Sequence, residues 1–155
     1  MSITSLSPQA AVLGLAIGIL CALLFYLRTR LSPGGLLTPG WLAVAAIWDL
    51  RAALVVLAAS VLTYLGMVLA RRYIILYGDR LLAASMLLGI VLESGWYLAT
   101  GDGFPPLYSF AALGLIVPGW LCYQLSSQPL KPTLVTTGLA TALSATVLGA
   151  MVMIS

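Results

Sequence analysis

Long apolar runs separated by short polar punctuation make up almost the whole chain. A helix crossing a hydrocarbon core of ~30 Å needs about 20 apolar residues, and that length divides the sequence readily. Residues 9–27 form a first span, closed by Arg28, Thr29 and Arg30. Residues 31–48, LSPGGLLTPGWLAVAAIW, are apolar but broken by Pro and Gly, and they end at a tight polar turn marked by Asp49 and Arg51. Residues 52–70 make another span ending at Arg71 and Arg72, after which RRYIILYGDR leads into residues 81–99. Beyond TGDGFPP, residues 107–125 are again apolar with a central Pro-Gly, SSQPLKP makes a polar loop, and residues 133–154 form the last span. The pattern predicts an all-α membrane protein, a single transmembrane domain over residues 1–155 with about six transmembrane segments.

Composition agrees: 62% of residues are apolar and 7% charged, far from soluble usage. The apolar character runs to Ser155, so a cleaved signal peptide does not account for it. No soluble stretch is long enough to hold an active site.

Ten of the eleven charged side chains fall between the apolar runs, Glu93 being the exception, and their placement chooses a topology. Cytoplasmic loops collect Lys and Arg. With six crossings, Arg28, Arg30, Arg71, Arg72, Arg80 and Lys131 share one face and only Arg51 lies on the other. If the two Pro-Gly segments were re-entrant loops, leaving four crossings, the division would be four to three. Six crossings is preferred. It makes the chain a multi-pass membrane protein with its basic loops in the cytoplasm and both termini outside.

Residues 35–42 read GLLTPGWL and residues 114–121 read GLIVPGWL, identical at six of eight positions and offset by 79 residues. The offset also lays span 9–27 near 81–99 and span 52–70 near 133–154. Each half then holds three segments with a broken middle one, repeat 1 over about 9–70 and repeat 2 over about 81–154. Three is odd, so the second half enters the membrane from the opposite side, which predicts two inverted three-helix repeats. Pro39, Gly40, Pro118 and Gly119 should interrupt the middle helices near mid-membrane, because proline removes a donor and glycine admits unusual dihedrals. Interrupted backbone persists in lipid only where protein or a cavity satisfies it. A half-helix starting at such a break points its positive end at that interior, which suits an anion.

Chemistry-bearing residues are few. The chain has no His, and Cys21 and Cys122 lie in apolar runs without CxxC spacing, so no metal site is expected and both cysteines read as packing residues. No catalytic residue is visible: paired carboxylates and a nucleophile with a nearby base are both missing. A GxxxxGK[ST] phosphate loop is also lacking. Glu93 stands near the centre of span 81–99, where an ionisable group is costly and by default a functional candidate, here for a conduction path. Arg71, Arg72 and Arg80 cluster at one loop as membrane anchors or as contacts for a partner or polyanion. Asp49 and Arg51 read as an exposed turn pair. Gly14 and Gly18 form a GxxxG for close helix packing, and Trp41 and Trp120, beside their Pro-Gly pairs, read as packing over the breaks.

Three stretches resemble a known family: Pro33 to Leu42, LYGDRLLAASMLLGIVL from Leu76 to Leu92, and GLIVPG from Gly114 to Gly119. In this order they are similar to the PgsC/CapC membrane subunits of bacterial poly-gamma-glutamate synthesis. The resemblance implies a complex that makes and exports an anionic gamma-linked polymer, as capsule or released product. It implies a cytosolic, Mur-ligase-like, ATP-dependent amide ligase as partner, which would carry the ATP and Mg, and an extracellular anchored export protein. Tyr77, Gly78 and Arg80 match the family loop, whereas Asp79 departs from its more basic character.

The leading expectation is therefore a non-nucleotide-binding subunit of a poly-gamma-glutamate synthase and export complex, not catalytic alone. It would recruit the ligase and pass the polymer outward between the inverted halves. Membrane lipid and a homo-oligomer are further expected partners; nucleic acid is not. An autonomous small-solute or ion transporter would use the same inverted repeat, and in a purely structural tether changes at the breaks would harm folding but never polymer length or export.

Overall fold

The structure, a computed structural model, describes residues 8–101 and 110–154. The first part of segment 107–125 and most of the TGDGFPP turn lie outside the described residues. Among the described residues, four helices are long and apolar enough to cross a membrane: α1 (Pro8–Thr29), α3 (Leu50–Ala70), α4 (Asp79–Thr100) and α6 (Leu130–Ile154). Two shorter helices, α2 (Thr38–Trp48) and α5 (Val117–Ser127), have 11 residues each. A 3-10 helix at Phe110–Leu115 leads into α5, and no strand occurs among the described residues. Large apolar side chains such as Leu24, Leu27, Leu54 and Leu87 stand exposed on the long helices, as a bilayer requires and water would penalise. The chain is an all-helical membrane protein.

The expected helix breaks take a more definite form. Pro39 and Pro118 do not interrupt helices; each sits in the first turn of one, at N1 or N2. Proline is suited to that position, since the N–H it lacks would have no intrahelical acceptor there. What precedes it is not α-helix: residues 31–37 carry Gly34 at φ +62° and Gly35 at φ +97°, and residues 110–115 are wound as 3-10 helix. At 1.5 Å per residue an 11-residue helix is about 16 Å long, half of a ~30 Å core. The expected SSQPLKP loop is likewise shorter, because α6 already begins at Leu130 and takes Lys131 and Pro132 into its first turn.

Asp49 is more than an exposed turn residue. It ends α2, its N–H bonding to Ala45 O at 2.8 Å, and caps α3, its Oδ1 accepting from Ala52 N at 3.1 Å. One residue thus folds α2 back into α3. At the other end of the bundle, Ser32 N donates to Gln128 Oε1 at 3.1 Å and Arg71 Nη2 donates to Ser126 O at 3.3 Å. These two bonds gather the loops after α1, α3 and α5 at one end.

The core is built of small and hydroxylated residues. Ala22, Ala43, Ala45, Thr63, Ser85, Thr133, Ala140 and Ser144 are fully or almost fully buried, the composition that lets helices approach closely without a hydrophobic drive between them. Hydroxyls bond within their own helices: Thr63 Oγ1 donates to Ala59 O at 2.7 Å, and Ser144 Oγ to Ala140 O at 2.7 Å. These hydroxyl donors are thereby satisfied without a partner on another helix.

Candidate functional site

The two short helices meet the long ones through glycine. In α1, a Cβ on Gly18 would collide with the backbone of Gly40, and one on Gly14 with the Val44 side chain. The GxxxG thus packs α1 on α2, as its spacing suggested. Moving from Gly40 to Val44 goes from Gly18 back to Gly14, so α2 runs antiparallel to α1 from its midpoint toward its N-terminus. In α4, a Cβ on Gly89 would lie 2.7 Å from Gly119 N, and one on Gly119 would lie 2.7 Å from Ser85 O. Farther along α5, Cys122 packs with Leu81 and Met67, so α5 runs from the midpoint of α4 toward that helix's N-terminus. Both short helices therefore begin deep in the bundle and end at opposite surfaces.

Each tryptophan following a Pro-Gly pair covers a glycine of the other segment. Trp41 lies on Gly114, where an added Cβ would sit 2.6 Å from its Cζ2, and Trp120 lies against Gly35. The contacts are reciprocal. They pass over the partner segment, where the sequence suggested each ring's own break. Gly34 is held as firmly: its carbonyl accepts the Thr38 hydroxyl at 2.7 Å, and a Cβ there would meet Leu121 at 2.6 Å. The N-cap positions, Leu37 and Ile116, supply no side-chain hydrogen bond. The first turns of α2 and α5 thus set partly positive helix ends inside the protein without a side-chain cap.

Glu93 is buried to 1% exposure, and its Oε2 has no hydrogen-bond partner. It follows Gly89 by one turn on the same face of α4, beyond the start of α5 and on the helix against which the 3-10 segment packs. Trp120 Nε1 is the other buried side-chain atom without a partner among the described residues. An unpaired ion is costly away from water, which makes a carboxyl at this depth a functional candidate.

The basic loop is separate from these breaks. Arg71, Arg72 and Arg80 are exposed at the α3–α4 connection. Between them Tyr73, Ile75 and Tyr77 are about four-fifths exposed (82%, 79% and 77%). Gly78 adopts φ +55° as it turns the chain into α4. Leu76 tucks against the Met67, Leu81 and Cys122 cluster, which fixes the loop to the end of the bundle. No group of three or more metal-ligating side chains exists among the described residues, and Cys21 and Cys122 are buried free thiols.

The geometry adds residues that sequence reading passed over. Gly35 and Gly114 open the two repeated octets, so the duplication itself marked them. Ser85 and Gly89 repeat the small-x-x-x-small spacing of Gly14 and Gly18, a signal visible in the sequence. Gln128, which ties the first and last basic loops together, had no such signal.

The model of the Capsule biosynthesis CapC family matches residues 17–134. The chain belongs to the CapC family. It is 35% identical over 130 residues to the capsule biosynthesis protein CapC of Bacillus anthracis, covering 81% of this chain and 84% of that protein. It is 32% identical over 122 residues to the PGA biosynthesis protein CapC of Bacillus subtilis (strain 168), covering 78% and 81%. No solved structure matches it. Within this CapC protein the matched region holds Gly18, both Pro-Gly pairs, both Trp–Gly contacts, Glu93 and the basic loop, while Gly14 and most of α6 fall outside it.

Proposed function

We propose that this CapC protein is the membrane subunit of a bacterial poly-gamma-glutamate synthase and export complex. Capsule and PGA biosynthesis are what its relatives in two Bacillus species are named for. The observation that carries the reading is the gathering of the basic loops at one end, through Ser32 to Gln128 and Arg71 to Ser126. That end is cytoplasmic, by the rule that places Lys and Arg inside, and both termini are outside.

The chain crosses the membrane six times as two inverted repeats, residues 9–70 and 81–154. Support comes from the reciprocal Gly35–Trp120 and Gly114–Trp41 contacts, the pattern a two-fold relation produces. Gly40 and Gly119 are 79 residues apart, but their partners Gly18 and Gly89 only 71; a longer connection between α4 and α5 than between α1 and α2 accounts for the difference.

The cytoplasmic partner is an ATP-dependent, Mur-like amide ligase that brings ATP and Mg. It docks on Arg71, Arg72, Tyr77, Gly78 and Arg80, where aromatic and aliphatic side chains stand out among guanidinium groups suited to carboxylates. The growing polyanion leaves along Pro39–Gly40 and Pro118–Gly119 toward an extracellular anchored export protein. The helix ends without a side-chain cap favour its carboxylates, and Glu93 lines the route in its neutral form. This passage runs within one chain or between copies in a homo-oligomer.

The test is reconstitution in vesicles with and without a candidate ligase, following ATP-dependent gamma-glutamyl polymer. Activity should rise with the CapC chain and fall when Arg71, Arg72 and Arg80 become Gln. Absence of both co-purification and any gain of activity would remove the proposal. Solute uptake by the chain alone would favour an autonomous transporter instead.

A further inference from the structure

Helices α3 and α4 are in contact at one end and apart at the other. A Cβ on Gly66 would lie 2.8 Å from Leu88 Cδ2, and Met67 packs with Leu81 and Leu88. Toward the start of α3 a half-open lateral groove of about 480 Å³ lies between the two helices. Its walls are Leu54, Ala58, Ala59 and Leu62 of α3 with Leu92 and Trp96 of α4, and its mouth holds Leu50 and one charged side chain, Arg51.

We propose that this wedge binds one acyl chain of an anionic phospholipid, with the phosphate held at Arg51. Three observations support that occupant. The first is depth: Leu50 to Leu62 spans 12 helical steps, about 18 Å, close to one leaflet's half of a ~30 Å core. A partner's transmembrane helix needs a groove through the full thickness, and the Gly66–Leu88 contact closes this one. The second is size: the volume falls in the ordinary range of small-ligand sites, whereas a helix about 10 Å across does not fit between closing walls. The third is charge: the mouth carries a single exposed guanidinium at the first turn of α3, where a headgroup would lie. Its five N–H donors can take a phosphate bidentately while keeping an existing bond. Ala58 and Ala59 are what leave the space; larger side chains there would fill it.

The experiment is native mass spectrometry of the full chain in detergent, titrated with phosphatidylglycerol or phosphatidylcholine of identical acyl chains. The wild type should retain phosphatidylglycerol preferentially, with one tight site. Arg51→Gln, at an exposed position, should weaken phosphatidylglycerol roughly ten-fold, the loss expected for one charge-assisted contact, and leave phosphatidylcholine unchanged. Ala58→Trp should displace both lipids. Equal retention of the two lipids by wild type, or no effect of Arg51→Gln, overturns the proposal. So does a wild-type dimer that Ala58→Trp dissolves without changing lipid retention, which would seat a second copy in the wedge. If Ala58→Trp fails to fold, the Arg51→Gln comparison decides alone.

Discussion

Replacing Gly18 with alanine isolates the crossing of α1 and α2. An added Cβ meets the Gly40 backbone, and backbone does not rotate aside as a side chain does. Over-packing of this kind costs about 1–3 kcal/mol, while alanine in place of glycine returns about 1 kcal/mol of helix propensity. Because the obstacle is main chain, the cost should fall in the upper part of its range, leaving a net loss of about 1–2 kcal/mol. For a chain of this length that lowers the melting temperature by about 2–8 °C. Two comparisons separate steric cost from a generic glycine effect. Gly14→Ala strikes the Val44 side chain and presses more lightly on Leu148 Cδ2 at 3.3 Å, so Val44→Ala should rescue most of the loss with a coupling of about 1 kcal/mol. Gly95→Ala has nothing within 4 Å and should melt at or above wild type. Thermal unfolding in a mild detergent, followed by tryptophan fluorescence, reads all three. A Gly18→Ala protein as stable as Gly95→Ala, or a Gly14→Ala defect indifferent to Val44→Ala, would refute the close-crossing account.

Glu93→Gln should fold within about 1 kcal/mol of wild type, since the uncharged isostere avoids burying an ion, whereas Glu93→Lys should fail to accumulate as a monodisperse protein; size-exclusion profiles of the two variants check this, and a collapse of the Gln variant would mean that the carboxylate is charged and paired. Asp49→Ala should cost about 1 kcal/mol through loss of the α3 cap, with Asp49→Ser retaining most of the stability, measured by melting. Single cysteines at Thr29, Tyr77 and Ser127 should label from one side and Leu50→Cys from the other, against a low background because Cys21 and Cys122 are buried; labelling of Thr29 and Tyr77 from opposite sides would undo the shared basic end.

Sequence alone determined the solvent, the long spans, the two segments that depart from plain helix, and the residues at their hinges. These are local consequences: about 20 apolar residues match a bilayer, and Pro and Gly limit backbone wherever they stand. The GxxxG of α1 was legible for the same reason. Tertiary structure alone decided that each Pro-Gly pair opens a helix, because the preceding residues could have been helical but are held by Thr38, Leu121 and Trp120 packed around Gly34 and Gly35. It also paired Gly18 with Gly40, Gly89 with Gly119, and each tryptophan with the other segment's glycine. In a soluble helix the apolar stripe reveals which face is buried. Here lipid and protein interior are equally apolar, so Leu54 on a lipid-facing wedge and Leu81 in the core read alike, and only packing distinguishes them.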